Sequence, residues 1–430
     1  MEYKGVVTSF LQADQQILLL RRSAKVGTHQ GRWAAVSGYL EGSEDPLQRA
    51  KTEIQEELGL GPEQITLIRA GETVHAFDEQ TATVWTVYPF LFETRSRRIQ
   101  LDWENTEYKW IEPNELRAYE TVPKLKEVFD RVHCNLQSER PSLSEVLRGV
   151  DELARDRVHG ASFLGRQAVE LLSAVAESSE ATTSEELLCD LLLVAMRLRT
   201  AQPGMGIIRN LVGMLLYQAD LKRNAISAAE FRTLIVSVAK ELMERTQDGA
   251  EDASRNAVGL LPMDGHVLTH SYSSTVLRAL ELGMKGGRKF QVYATESYPG
   301  MEGKQLAKDL VKFGISVKLV ADSAVGSIIP DVDLVLVGAD SVLTDGSLLH
   351  KIGTKNIATA ANERQIPFYS VCETTKFSTA DFLGEPVQPS ETMFDITPSK
   401  HVSKFITEIG PVEPPEIEGR IRLMLREIYP

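Results

Sequence analysis

Beyond residue 262 the chain repeats one theme, a short apolar run followed by a segment of helical periodicity. VLTH (267–270), FQVYATE (290–296), SVKLVAD (316–322), DLVLVGA (333–339) and FYSVCE (368–373) are the runs. Runs this short and this apolar, separated by helix-length segments, read as buried strands of a parallel sheet covered on both faces by the connecting helices. Such a sheet binds ligands outside the carboxyl ends of its strands. The stretch before it, residues 142–247, has mostly helical periodicity, with apolar positions such as Leu171, Leu172 and Val175.

The N-terminal third is patterned differently. Residues 4–10 and 16–21 read as strands joined by the polar turn QADQ. Residues 46–58 read as a helix, capped by Asp45, with Pro46 in its first position and Gln48 completing a capping box. Residues 80–94 are β-branched and aromatic and predict a strand, and a closing helix is expected over 122–132. The polar, Pro-containing stretch NLQSERPSLS (135–144) reads as a linker. The expected organisation is therefore a domain over 1–134, the linker, a helical subdomain over 145–250 and a sheet subdomain over 251–430.

A chain of 430 residues exceeds one ordinary core, in keeping with this division. The formal net charge of -13 argues against nucleic acid as a general partner, because affinity for phosphate backbones comes mainly from Lys and Arg. Cys134, Cys189 and Cys372 are far apart and form no CxxC pair, so neither a zinc site nor a disulfide framework is suggested. The start, MEYKGVVTSF, lacks the basic-then-apolar pattern of a signal peptide, and no run of about 18 apolar residues is present. A reduced, cytoplasmic setting without a membrane span is the expectation.

Chemistry gathers first in GYLEGSEDPLQRAKTEIQEELGL (38–60). Glu53, Glu56 and Glu57 are spaced i, i+3 and i+4, so they share one helix face. Three like charges there repel one another, and a hard cation such as Mg²⁺ or Mn²⁺ offsets that repulsion, since it prefers carboxylate oxygen. Glu44, in the preceding loop, can close over the same site. The whole string resembles the Nudix box: Gly38, Glu44, Glu53, Glu56, Glu57 and Gly59 match, and Thr52 stands where that family has arginine. The resemblance covers about residues 1–133 and implies an α/β/α sandwich with Glu53, Glu56 and Glu57 as metal ligands and catalytic groups. It further implies hydrolysis of nucleoside diphosphates linked to another moiety, with Gly38, Arg22 and Trp33 at the substrate. In the family the arginine orients a box glutamate through an ion pair. Thr52 cannot do so, and weaker positioning is expected.

A second group lies at the ends of the predicted strands: THSYSS (269–274), ATESYPGMEG (294–303), VGADSVLTDGSLLHKIGT (337–354) and CETTKF (372–377). Together they resemble the family of ribose-1,5-bisphosphate isomerase, methylthioribose-1-phosphate isomerase and the alpha, beta and delta subunits of translation initiation factor 2B, over about residues 142–429. This resemblance implies a helical subdomain followed by a doubly wound, Rossmann-like parallel sheet, so the chain combines α/β and α+β architecture. Family isomerases move a proton with a Cys and an Asp. The Asp position is Asp340, and the Cys position is Ser271, whose hydroxyl is a far poorer acid or base than a thiol. Family arginines that hold phosphate are replaced by His159 (before Gly160), Gln202 and Tyr298, and two asparagines by Asp345 and His350. Glu296, Lys351, Gly353, Thr354 and Lys376 remain, and His270 adjoins Ser271. Gly160, His270, Glu296, Lys351 and Lys376 are the expected substrate contacts.

These resemblances imply a Mg²⁺-dependent hydrolase of a nucleotide-type diphosphate, fused to a module that binds a sugar phosphate and drives homodimerisation or higher assembly. A regulatory, translation-related interaction subunit with two degenerate sites is one alternative, separated by metal-dependent phosphate release. A bifunctional enzyme with an active ribose 1,5-bisphosphate-type isomerase is another, separated by conversion of that sugar.

Overall fold

The computed structural model describes residues 1–135, 140–223, 226–387 and 392–428. It divides into two compact units, Met1–Glu139 with the short segment Glu185–Cys189, and Arg140–Ser184 with Asp190–Tyr429. Part of the expected linker, 136–139, lies outside the described residues; the rest of it includes a 3-10 turn at Pro141–Leu143.

The first unit is an α/β/α sandwich. Strands β1 (Glu2–Ala13) and β2 (Gln16–Arg22) form a hairpin whose turn is Asp14 and Gln15, both at positive φ (48° and 67°). Two such residues let a two-residue turn follow the strand twist, so the turn is tighter than QADQ. The sheet is completed by β3 (Trp33–Ala34), β4 (Val36–Tyr39), β5 (Ile65–Ala70), β6 (Val74–Asp78), β7 (Thr83–Thr94) and β8 (Asn105–Ile111). β1 lies parallel to β7 and antiparallel to β2 and β4. Alternation along β1 decides what each face carries. Val7 and Leu11 pack under helix α1 (Pro46–Leu58) with Ala50, Ile54 and Leu58, whereas Phe10 packs under α2 (Leu125–His133) with Val128, Phe129 and Val132. β5 gives no periodic signal, because Thr66, Leu67 and Ile68 are all exposed along its length.

Cys134 and Cys189 are disulfide-bonded, which corrects the expectation of three unconnected thiols. Their 55-residue separation carries no spacing signal, so only the fold brings them together. Cys372 is a free, buried thiol.

The second unit begins with α3 (Ser144–Arg155), α4 (Ala161–Ser178), the part of α5 (Ser184–Ala201) from Asp190 on, α6 (Gly206–Lys222) and α7 (Ala228–Val258). α7 starts with a capping box between Ser227 and Glu230 and runs past the expected boundary at 250. The sheet region follows as β9 (Asp264–Thr269), α8 (Ser274–Lys285), β10 (Lys289–Thr295), α9 (Gly303–Lys312), β11 (Ser316–Val320), α10 (Val325–Ile328) and β12 (Leu334–Val337). Next come β13 (Ser341–Val342), β14 (Leu348–Lys351), α11 (Thr354–Glu363), β15 (Phe368–Val371), β16 (Phe394–Thr397), β17 (Lys404–Thr407) and β18 (Gly410–Val412). The main sheet runs β11-β10-β9-β12-β15-β17-β18, parallel through β17, with β18 antiparallel. Ranked by chain order, the parallel strands read 3-2-1-4-5-6, a doubly wound Rossmann-like sheet whose order reverses between β9 and β12. Helices cover it: Ala253 and Ala257 of α7, Val276 and Leu280 of α8, and Leu306 and Leu310 of α9 share one core with Val267, Val292 and Leu336. β13, β14 and β16 form a separate antiparallel sheet.

One buried side chain fixes the turn that carries Lys376. Asn210 of α6 is fully buried; its amide donates to the carbonyls of Thr375 (2.7 Å) and Phe377 (2.8 Å) and accepts from the Thr379 hydroxyl (2.6 Å). Removing it strips three buried groups of a partner, at roughly 1–3 kcal/mol each. Asn210→Ala is expected to lower the unfolding free energy of the second unit by at least about 2 kcal/mol in urea titration.

Candidate functional sites

In the first unit, Asp45 accepts the Gln48 backbone N–H (3.0 Å), Pro46 opens α1, and Gly59 closes it with φ 69°. The helix therefore starts and stops where the sequence indicated, and its phase sends Glu53 and Glu57 inward while Glu56 stays exposed. Glu53 lies across Gly38 of β4: a Cβ built there would sit 1.8 Å from Glu53 Oε1, so any larger residue would displace the Glu53 side chain from this position. Glu57 Oε1 accepts the Ser37 N–H (3.1 Å) and Oε2 accepts the Asn105 amide (2.8 Å). Burial raises the Glu57 carboxyl to about 8, partly offset by these two hydrogen bonds. Burial also raises Glu53 and Glu104, and the charges of Glu56 and Glu104 push the Glu53 carboxyl further in the same direction. Glu104, Asn105 and Arg49 escaped sequence reasoning, because the first two join the cluster only through pairing of β8 with β2.

The Thr52 hydroxyl donates to the Gln48 carbonyl (3.1 Å). Glu53 is instead ion-paired to Arg49, one turn earlier. Trp33 is a core residue, 8% exposed, in edge contact with Tyr119 (5.4 Å) and under the Lys109 ammonium (5.0 Å). That burial leaves little of the residue open to a substrate. Arg22 donates to the Thr28 carbonyl (3.2 Å), and its charge acts on Glu104. Glu44 lies in the loop before α1 and lines a groove with Tyr39, Trp85 and Tyr88, apart from the other box glutamates.

Among the described residues, no three carboxylate, imidazole or thiolate groups stand close enough to hold an ion as placed. The donor set nevertheless suits a hard divalent cation in kind. It is all carboxylate oxygen, three of its members share one helix face, and burial and neighbouring carboxylates disfavour the ionised forms of Glu53 and Glu57. A cation's charge reverses that preference.

In the second unit, a cavity of about 280 Å³ opens beyond the carboxyl ends of β9 and β12, at the reversal of strand order. Ser271, Glu302, Asp340, His350, Lys351, Lys376 and the N-terminal turn of α4 at Gly160 line it. Ser271 sits at φ 67°, and its hydroxyl donates to Glu302 Oε1 (2.9 Å). The Lys351 ammonium reaches the same oxygen (2.9 Å), and Lys376 pairs with the buried Glu373 (3.3 Å). His270 is spent on structure. Its Nε2–H donates to the Ile352 carbonyl (2.8 Å), Nδ1 accepts the Thr295 hydroxyl (2.5 Å), and burial lowers its basicity. Gly353, at φ 103°, lets the backbone pass against the His270 ring. His350 donates from Nδ1 to Thr354 Oγ1 (3.0 Å), whose own proton goes to the Lys351 carbonyl (2.6 Å); burial keeps His350 neutral.

The remaining positions singled out in the sequence divide between the cavity and its surroundings. Glu296 pairs with Lys304 (3.4 Å) and does not line the cavity; Glu302, six residues on, does. Gln202 lines the cavity, with its amide spent on the end of α3, where it donates to the carbonyls of Leu153, Ala154 and Asp156. Tyr298 is 70% exposed, and Asp345 caps a turn by accepting from Ser347. His159 pairs with Asp156 (2.7 Å) and stacks on Phe163 (4.2 Å) at the cavity mouth. Arg157 and Arg166, which sequence reasoning passed over, also line the cavity.

Residues 157–414 match the profile of the Initiation factor 2 subunit family, IF-2B, over more than half of the chain. The chain belongs to this family. Residues 3–132 match the NUDIX domain, so a NUDIX domain precedes the IF-2B domain. Ribose 1,5-bisphosphate isomerase of Archaeoglobus fulgidus is 30% identical over 295 residues, 64% of this chain and 91% of that protein. The crystal structure of the Pyrococcus horikoshii translation initiation factor eIF-2B matches with a TM-score of 0.56 at 28% identity, covering 64% of this chain and 98% of that one. A chain of the tetrameric eIF2B-beta2-delta2 complex from C. thermophilum matches with a TM-score of 0.57, covering 67% and 97%; at 23% identity it shows the fold alone. Among the described residues, no helix of the IF-2B or NUDIX domain is long and apolar enough to cross a membrane.

Burial pushes the Asp340 carboxyl of the IF-2B domain up to about 6, against the pull of Lys376 and Lys351. A carboxyl near 4 when unfolded and near 6 when folded binds more protons in the folded state between those values. Stability then falls as pH rises from about 4 to about 6 and stays lowered above. Asp340→Asn removes that cost. The variant is expected to gain up to about 3 kcal/mol in urea unfolding at pH 7.5, shrinking toward zero by about pH 4. A gain independent of pH would contradict the assignment.

Proposed function

We propose that the NUDIX domain is a divalent-cation-dependent hydrolase of a phosphoanhydride in a nucleoside diphosphate derivative. The observation that carries this reading is the fixed carboxylate face of α1, with Glu53 seated over Gly38, Glu57 tied to Ser37 and Asn105, and Glu56 exposed. Glu53, Glu56 and Glu57 would hold Mg²⁺ or Mn²⁺, with Glu104 contributing charge. Such a cation would supply charge to hold a diphosphate and would lower the pKa of a bound water. Ser37 and Asn105 keep the two oxygens of Glu57 oriented, and Arg22, beside Glu104, supplies positive charge for a phosphate. Glu56→Gln is expected to abolish metal-dependent phosphate release from nucleoside diphosphate sugars without changing the melting temperature, since Glu56 faces solvent. Undiminished turnover would remove Glu56 from the site.

For the IF-2B domain the reading is binding of a monophosphorylated sugar or nucleotide without isomerisation, in a homodimer or higher oligomer. Two hydrogen-bond arrangements support it: the Ser271 hydroxyl is engaged with Glu302, and both nitrogens of His270 are engaged with Thr295 and Ile352. Neither group is poised to replace a thiol beside Asp340. Lys351 and Lys376 are each tied to a glutamate, which leaves Arg157 and Arg166 at the cavity wall as the cations for one phosphate. Ser271→Cys alone is therefore expected to yield no ribulose 1,5-bisphosphate from ribose 1,5-bisphosphate in a product assay, because the thiol returns without the phosphate clamps. Robust turnover by the unaltered protein would overturn this reading and favour the bifunctional one.

A further inference from the structure

We infer that Arg49 is the positioning residue for Glu53 and does the work of the arginine absent at Thr52. The consequence for turnover rests on the hydrolase reading above; the geometry does not. Residue 49 lies four before 53, so the two side chains meet on one helix face, whereas 52 points about 100° away from 53. The Arg49–Glu53 pair is not a surface pair, since the two side chains are 28% and 8% exposed. Desolvation strengthens such a contact and makes either partner costly to leave alone.

Two further observations show that the pair is held in place. Gly38 lies against the same Glu53 oxygen that Arg49 binds, and a Cβ there would overlap the carboxylate. Glu53 thus meets a glycine cradle and a guanidinium at one carboxylate oxygen. The Arg49 Nε is buried without a hydrogen-bond partner. An arginine free to turn outward would satisfy that N–H in water, so packing keeps Arg49 on Glu53 despite the cost. None of the box's fixed positions falls on residue 49, and Thr52 directs its hydroxyl to Gln48. Arg49 therefore does two things for the carboxylate face: it fixes the direction of Glu53, and it offsets the repulsion from Glu56 and Glu104 that acts on it.

The test uses the full chain as wild type, Arg49→Ala, Arg49→Lys, Thr52→Arg and the double variant Arg49→Ala/Thr52→Arg, each checked for an unchanged circular dichroism spectrum. Mn²⁺ affinity is read from the free-ion electron paramagnetic resonance signal, and kcat and KM are measured with a nucleoside diphosphate sugar. Arg49→Ala is expected to weaken Mn²⁺ binding and lower kcat by about 10-fold each, with KM little changed, as for loss of a group that orients a metal ligand. Arg49→Lys should fall between, keeping the charge without the planar fork. Thr52→Arg alone should change little, but in the Arg49→Ala background it should recover much of the loss. Unchanged Mn²⁺ affinity in Arg49→Ala overturns the inference. So does a roughly 10-fold gain from Thr52→Arg alone, or a double variant no better than Arg49→Ala. A wild type that binds Mn²⁺ but hydrolyses nothing defeats the substrate reading, and the Mn²⁺ series then decides the role of Arg49 by itself. A wild type that does not bind Mn²⁺ overturns both.

Discussion

A charge removed from water needs an opposite charge or a set of hydrogen bonds, and both candidate sites are organised by that demand. In the IF-2B domain, Lys351 and Lys376 are buried and each is matched by a glutamate, Glu302 and Glu373. Glu302 also takes the Ser271 hydroxyl, so one carboxylate sets the position of a cation and of the residue standing where the family has its thiol. In the NUDIX domain the balance is opposite in sign. Glu53 has Arg49, Glu57 has only neutral donors from Ser37 and Asn105, and the carboxyl of Glu57 is correspondingly raised.

That difference sets what each site can attract. A face of carboxylates held partly out of water gains from a hard cation, which restores their ionised forms. A cavity whose lysines are already neutralised depends on Arg157 and Arg166 to hold an anionic group. The family scaffold survives around both, since the glycines and buried strands that shape them do not depend on the replaced residues. Gly38 still admits Glu53, and Gly353 still lets His270 lock against Ile352.

The location of the cavity follows from topology. With strand order 3-2-1-4-5-6, the connections from β9 and β12 leave in opposite directions, and the crevice between them is where chain ends do not fill the space. Ser271 after β9 and Asp340 after β12 meet there although 69 positions separate them in the sequence. The antiparallel strand β14 then brings His350 and Lys351 to the same crevice.

The sequence by itself determined the periodic and the local: α1 with its Asp45 cap, the shared face of Glu53, Glu56 and Glu57, the order of buried strands after 262, and the substitutions at Thr52 and Ser271. Each of these is written within one turn, one strand or one motif, where side-chain direction follows from the 3.6- or 2-residue period. Only the tertiary structure decided the rest. It turned Trp33 into core, moved the carboxylate at the cavity from Glu296 to Glu302, committed His270 to Thr295 and Ile352, brought Glu104 toward the box, and joined Cys134 to Cys189. It also gave Glu53 a guanidinium from Arg49, a pair whose i, i+4 spacing is visible in the sequence but whose burial is not. Contacts between distant segments leave no local period in the chain, and whether a charged pair is solvated or buried depends on what the remainder of the fold lays over it.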